Sequence, residues 1–421
     1  MLDRRRLAAV LLLLTGVLVV AGYALKAQCK PDYNADRDRL LCSNDIQFLY
    51  DARGLREQRF PYVEGGLERP VGPDGLPGAP QLTGGVLEYP VLTGLAAWLP
   101  SLWVDSAPAY LSATALLLAP FAFLTTWLLA RMLRWRALVW AAGPPLVWYS
   151  FHNWDLLVVA ATVTAVYLWW RGHPSAAAAA LAVGASLKLW PGFLVAALLL
   201  WHLRRGDRAG AAASAGAFAL VTAAVNVPFV IVNADGWWAP YAFQKLRAAD
   251  ITSNSIWFWG LPELTTAELN RLVPVLLGVC WTAVLGYGWW RSRPGGHTPG
   301  DYPWVQVGAA MLCAFMLLNK AHSPQFALWL LPFFALVRVR WGWWLTYLAF
   351  DALLYVGLFR WYYDLSRGID FGIPKQMLVL GVWGRAVMLV LLMVVFVRSE
   401  LATVTADEPD EVERRELALA T

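Results

Sequence analysis

Asp45 is the residue best placed to do chemistry. It follows Cys42-Ser43-Asn44 and precedes the apolar and aromatic stretch Ile46 to Tyr50, which would dock along a membrane surface with the carboxylate at its edge. A partly dehydrated carboxylate in that position suits a general base acting on a sugar hydroxyl. Asn44 and Asp45 also both suit the cap of a short helix beginning near Ile46, and the sequence leaves the two roles open. Lys188 stands in Lys188-Leu189-Trp190-Pro191, and Lys320 in Asn319-Lys320-Ala321-His322-Ser323-Pro324-Gln325, each at the boundary of an apolar run. An ionised group at membrane depth costs roughly 2.5–3.5 kcal/mol on insertion scales, so it tends to have a partner or a task. Lys188, Lys320 and His322 on one face could hold a phosphate or pyrophosphate at the head of a lipid. Snorkelling of single lysines to lipid headgroups is the plainer alternative.

Asp155, beside His152, Asn153 and Trp154, opens an apolar run; capping that helix is its expected role, with a place in the site as the alternative. Ser253-Asn254-Ser255-Ile256-Trp257-Phe258-Trp259 mixes hydrogen-bonding residues with stacking aromatics, a composition that suits sugars and equally an interfacial aromatic belt. Asp351, Asn226 and His202 carry no role that the sequence alone supports. Cys29 and Cys42 flank a short polar segment and would form a disulfide if that segment faces an oxidising compartment; otherwise they are two free thiols. No zinc, Walker or dinucleotide signature is present, and neither a metal nor a cofactor is expected.

These residues need elements to carry them. The chain has 421 residues, 59% hydrophobic and only 15% charged, with apolar runs separated by short basic turns. That is the composition of an all-α polytopic membrane protein, since a hydrocarbon core of ~30 Å takes ~20 apolar residues per helix. The net charge of +5 comes from lysines and arginines beside the runs, which mark the cytoplasmic side rather than a nucleic-acid surface. Arg4, Arg5 and Arg6 place the N-terminus inside, and the run 7–26 is expected to stay as a first helix. It delivers a long first extracytoplasmic loop, 27–88, which is rich in Pro and Gly and holds ten carboxylates, Asp32, Asp74 and Glu88 among them. A loop of that size inside a compact protein usually binds or reacts with something.

Next comes a surface or re-entrant helix over 89–104, then spans at 110–131, 137–151, 155–170, 174–187, 189–203, 209–232, 271–290, 303–319, 326–337, 341–361 and 375–397. With the first helix this makes about twelve transmembrane helices in one domain, 1–397. Both termini are cytoplasmic, the second outside loop covers 233–270, and a charged tail covers 398–421. The long loop, the Lys188 turn, the second loop and the turn Lys320 to Gln325 then share one outer face. A plasma-membrane location with an extracytoplasmic site follows.

The order of a first helix, Asp45 ahead of Tyr50, then Glu88-Tyr89-Pro90, Lys188-Leu189-Trp190-Pro191 and a late Asn319-Lys320 turn resembles the actinobacterial membrane glycosyltransferases of family 87, in the GT-C fold class. The resemblance implies transfer of one sugar, mannosyl or arabinofuranosyl, from a polyprenyl-phosphate donor to an envelope glycolipid or glycan, with inversion. In it Asp45 is the base; Lys188, Lys320 and His322 lie near the lipid phosphate. Tyr50, Glu88, Tyr89, Asn254, Trp257 and Gln325 are the expected substrate contacts. The chain reads Tyr89-Pro90-Val91 where the family often has Tyr-Pro-Pro, and it carries a Gly- and Pro-rich insertion, 67–84. A transporter or flippase is the rival reading, though such carriers often show two related halves and none is visible here. A non-catalytic envelope assembly protein is the other.

Overall fold

A computed structural model of the protein describes residues 4–29, 33–70, 78–295 and 301–402. Asp32, Asp74 and the tail beyond 402 lie outside the described residues. Among the described residues six helices are long and apolar enough to cross a membrane: Arg5–Ala27, Ala107–Ala141, Arg208–Val232, Thr266–Arg291, Trp341–Ser366 and Ile373–Arg398. Five of the other expected spans correspond to shorter apolar helices, Asp155–Trp170, Pro174–Leu187, Trp190–Arg204, Trp304–Leu318 and Pro324–Leu336. Sixteen residues, the length of Asp155–Trp170, rise about 24 Å at 1.5 Å each, short of a ~30 Å core. Trp304–Leu318 and the helix Ala327–Leu336 bury almost every side chain, so protein rather than lipid surrounds them. Arg208–Val232 and Thr266–Arg291 are the converse, apolar with little protein cover among the described residues. An all-apolar surface of that kind belongs in lipid.

The expected span 137–151 is broken. A 3-10 turn, Arg134–Ala137, leads into Leu138–Ala141, and a second short helix, Pro145–Tyr149, follows Gly143-Pro144. Two consecutive prolines remove two N–H donors and disfavour helix in the residue before them, which accounts for the break. The stretch expected as a surface helix forms Val91–Ser101, tied inward by Thr93 Oγ1 donating to Leu187 O at 2.6 Å.

Gly357 and Gly381 let Trp341–Ser366 and Ile373–Arg398 meet backbone to backbone; a Cβ at Gly381 would lie 2.5 Å from Leu354 N. Between these helices Asp351 and Arg385 form a fully buried ion pair at 3.0 Å. Asn226 accepts from Trp237 Nε1 at 3.0 Å. His202 is held between Asp207 (2.7 Å) and Ser214 (3.0 Å), but Ser214 is sealed by packing and serves as a structural tie.

Turns sort by composition to two ends of the bundle. At one end Arg136 donates to the carbonyls of Phe334, Ala335 and Val337, Arg204 to Ser292 O, and Ala402 N–H to Leu336 O. At the other end lie the two large loops. The first is pinned by a Cys29–Cys42 disulfide with Cα atoms 6.2 Å apart. Its insertion closes in a two-residue antiparallel pairing, Leu67–Glu68 with Gln81–Leu82, a small departure from the all-helical expectation. Asn233 Nδ2 donates to Val63 O at 3.1 Å and Gly65 O at 2.9 Å, joining this loop to the helix Ala234–Leu246 of the second.

Candidate active site

The first loop, the 150–155 turn, the Lys188 turn, the second loop and the turn 319–325 together line a cavity of about 870 Å³. Asp45 is on its wall, at the first turn of the helix Asp45–Ala52. Asn44 is extended (φ −155°) and its side chain accepts the Gln47 N–H at 2.8 Å, so Asn44 is the cap. The Asp45 carboxylate is therefore left for other partners, and the capping role belongs to Asn44. Its own N–H donates to His152 O at 2.8 Å. Asn153 Nδ2 donates to Asp45 Oδ2 at 2.6 Å and to the Tyr89 hydroxyl at 2.6 Å, and that hydroxyl lies 3.5 Å from the same Oδ2.

The other end of the Asn153 amide faces a cation. Lys188 Nζ donates to Asn153 Oδ1 at 3.1 Å and to Asp155 Oδ1 at 2.6 Å, and it sits over the Tyr89 and Trp329 rings at 5.0 and 5.3 Å. Trp329 Nε1 donates to the same Asp155 oxygen at 2.6 Å. The expectation that Asp155 caps its helix is thereby corrected: Trp154 occupies the cap position, and the Asp155 carboxylate, with a side chain 0% exposed, is the counter-ion of Lys188. A buried cation of this kind needs such a partner.

Burial lifts the Asp45 carboxyl above its ordinary range; the Asn153 hydrogen bond and the charges of Lys188, Arg247 and Lys26 pull it back. The Tyr89 hydroxyl is pushed well above its usual value by burial and then by the Asp45 charge, so it stays a neutral donor. Lys26 fixes the approach to Asp45, donating to Ser43 O at 2.9 Å and to the Tyr355 hydroxyl at 3.1 Å.

Of the expected substrate contacts, Glu88, Tyr89, Asn254 and Gln325 line the cavity, Glu88 held by Arg53 through two bonds of 3.0 Å. Tyr50 and Trp257 do not. Tyr50 is buried in a stack with Tyr110 at 4.6 Å, and Trp257 donates to Leu318 O at 2.7 Å.

Lys320 and His322 also fall outside the cavity wall. Lys320 Nζ ties the second loop, donating to Lys245 O at 2.9 Å and Asn270 Oδ1 at 2.7 Å. Burial and then Arg247 bring its ammonium down to about 8. His322 pairs Nδ1 with Met316 O at 2.6 Å and Nε2 with Arg385 at 2.8 Å; burial and the Arg385 guanidinium push it down to about 3, so it is neutral. Expected as phosphate ligands, these two are used as structural ties instead.

Sequence reasoning passed over Asn153 as the bridge, and over Lys26, Arg37 and Arg247. Nothing in the sequence singles these arginines out, because the two outer loops, 27–88 and 233–270, carry nine lysines and arginines in all.

Fold and site together define a helical protein with, among the described residues, six membrane-length apolar helices and a mostly apolar, carboxylate-bearing cavity under its loops. No family model, curated protein or solved structure matches the chain.

Proposed function

We propose that the chain is a plasma-membrane glycosyltransferase of the GT-C type. It moves one sugar, mannosyl or arabinofuranosyl, from a polyprenyl-phosphate donor to a hydroxyl of an envelope glycolipid or glycan. The observation that carries this reading is the half-buried Asp45 carboxylate, held through one oxygen by Asn153 on the wall of a cavity of about 870 Å³. Ligand cavities run to roughly 300–1,000 Å³, so a sugar and part of its acceptor fit. With Oδ2 engaged, Oδ1 is the oxygen left to take a proton. The acceptor oxygen attacks the anomeric carbon while its proton passes to Asp45. The bond from that carbon to the phosphate oxygen breaks, and polyprenyl phosphate leaves with the electron pair. Attack opposite the leaving phosphate inverts the centre. The loop end is the outer face in this reading, because the arginine-rich turns gather at the other end.

Asp45→Asn in membrane vesicles supplied with radiolabelled polyprenyl-phosphate mannose or arabinofuranose tests the reading. Transfer should fall by at least about 10²-fold, the lower range for loss of a general base, with membrane insertion intact. Transfer at the wild-type rate removes Asp45 as base.

A further inference from the structure

We infer that a lipid-borne phosphate is held by Arg247, with Arg37 as the second cation, one from each outer loop; this rests on the glycosyltransferase reading. The argument starts from which cations around the cavity are already engaged. Lys26 serves Ser43 O and the Tyr355 hydroxyl; Lys188 serves Asp155 and Asn153. Lys320 serves Lys245 O and Asn270, and Arg53 grips Glu88 with two bonds. Arg247 and Arg37 also line the cavity, and among the described residues most of their donors have no protein partner. The Arg247 side chain makes one hydrogen bond among the described residues, from Nη2 to Thr252 Oγ1 at 3.0 Å. Arg37 has Asp38 at 3.5 Å from Nε and lies over the Tyr33 ring at 5.9 Å.

A guanidinium presents five N–H donors in a planar fork that matches phosphate oxygens two at a time. Four carboxylates line the cavity among the described residues; Asp45 and Glu88 are engaged by Asn153 and Arg53, and Asp38 and Asp250 lie in the same two loops as the arginines. Asp250 Oδ1 accepts from Thr252 N and Oγ1 at 2.9 and 2.6 Å. Asp38 is paired with Arg37 at 3.5 Å. Arg247 and Asp45 line the same cavity, so a phosphate held on Arg247 keeps its sugar in the cavity that carries the base. Phe315, Phe326, Leu358 and Phe359 line that cavity as well, an apolar wall for the first prenyl units.

Binding of bare short-chain polyprenyl phosphate to the purified full chain in detergent tests this without any reaction. Losing charge-assisted hydrogen bonds, Arg247→Ala should weaken binding by about tenfold to a hundredfold. Arg247→Lys, which keeps the charge without the fork, should fall between, and Lys320→Ala should bind within about twofold of wild type, on the reading that it serves only as a tie. Arg247 is half-buried, and equal thermal melting of the variants confirms that they fold. If Arg247→Ala binds like wild type, the phosphate sits elsewhere and the assignment falls alone. If the folded wild-type chain binds no polyprenyl phosphate, the glycosyltransferase reading falls with it. Equal binding of inorganic phosphate or of phosphatidylglycerol overturns the assignment to a prenyl phosphate.

Discussion

Asn153→Ala probes the base without touching it. Asn153 Nδ2 donates to Asp45 Oδ2 at 2.6 Å, and this bond favours the ionised carboxylate. Hydrogen bonds to charged groups contribute about 1.5–3 kcal/mol, and one pKa unit corresponds to about 1.36 kcal/mol. Removing the bond should therefore raise the Asp45 pKa by about one to two units. Burial already holds it above the ordinary range, so the two effects add. A general base works only when ionised, and the rate rises with pH through its pKa. The acid limb of kcat/KM against pH should then move toward alkaline pH by the same one to two units, with activity recovering above the new limb. Lys188 keeps Asp155 as partner, which limits collateral damage. The assay is sugar transfer from labelled donor across a pH series, wild type beside variant. A limb that stays put, or a loss equal at every pH, refutes the argument that Asn153 sets the proton affinity of Asp45.

Two further predictions address the pair behind the base and the orientation of the bundle. Lys188→Met leaves the Asp155 carboxylate buried without a counter-ion and should destabilise the protein by roughly 3–5 kcal/mol, read by thermal or denaturant unfolding in detergent; Asp155→Asn in the same chain should restore much of the loss. Phe48→Cys, at a cavity-lining position 48% exposed, should react with a membrane-impermeant maleimide added to intact cells, and labelling seen only from the cytosolic side would place the loops on the wrong face.

The helices were legible because their apolar runs are long and their ends are marked by arginine or proline. The break at Gly143-Pro144-Pro145 was legible in principle, since two prolines cannot lie inside an undisturbed helix. What composition does not encode is which short apolar helices are wrapped by protein. Trp304–Leu318 and Arg208–Val232 look alike as strings, yet one is buried nearly throughout and the other hardly at all. Asp45 was visible from its place ahead of an amphipathic stretch, but its freedom from capping depends on Asn44 taking that role. Lys188 was visible as a cation at an apolar boundary, and its partner Asp155 was misread as a cap. Residues 155 and 188 meet only through the packing of two helices. Lys320 and His322 show the limit of the same logic: a cation or imidazole near a boundary needs partners, and in folded proteins backbone carbonyls often supply them.

The division of labour among the charges carries a further consequence. The Asp45 carboxylate is held by the packed part of the molecule: Asn153 sits fully buried in a turn between helices, and Lys188 and Asp155 are nearly or wholly buried. The two arginines come from loops, Arg37 after the disulfide-clamped Cys29 and Arg247 directly after the helix Ala234–Leu246. On the proposed reading Asp45 is thus in position before any ligand arrives, whereas phosphate contacts through Arg247 and Arg37 would draw the two loops toward one anion. Changes at Asn153 or Lys188 should alter how the rate depends on pH. Changes at Arg247 or Arg37 should alter donor affinity while leaving that pH dependence in place. Finding both classes of variant to change the same kinetic parameter in the same way would mean that base and phosphate site are one coupled network, and that the separation drawn here between a rigid base and a loop-borne phosphate grip is mistaken.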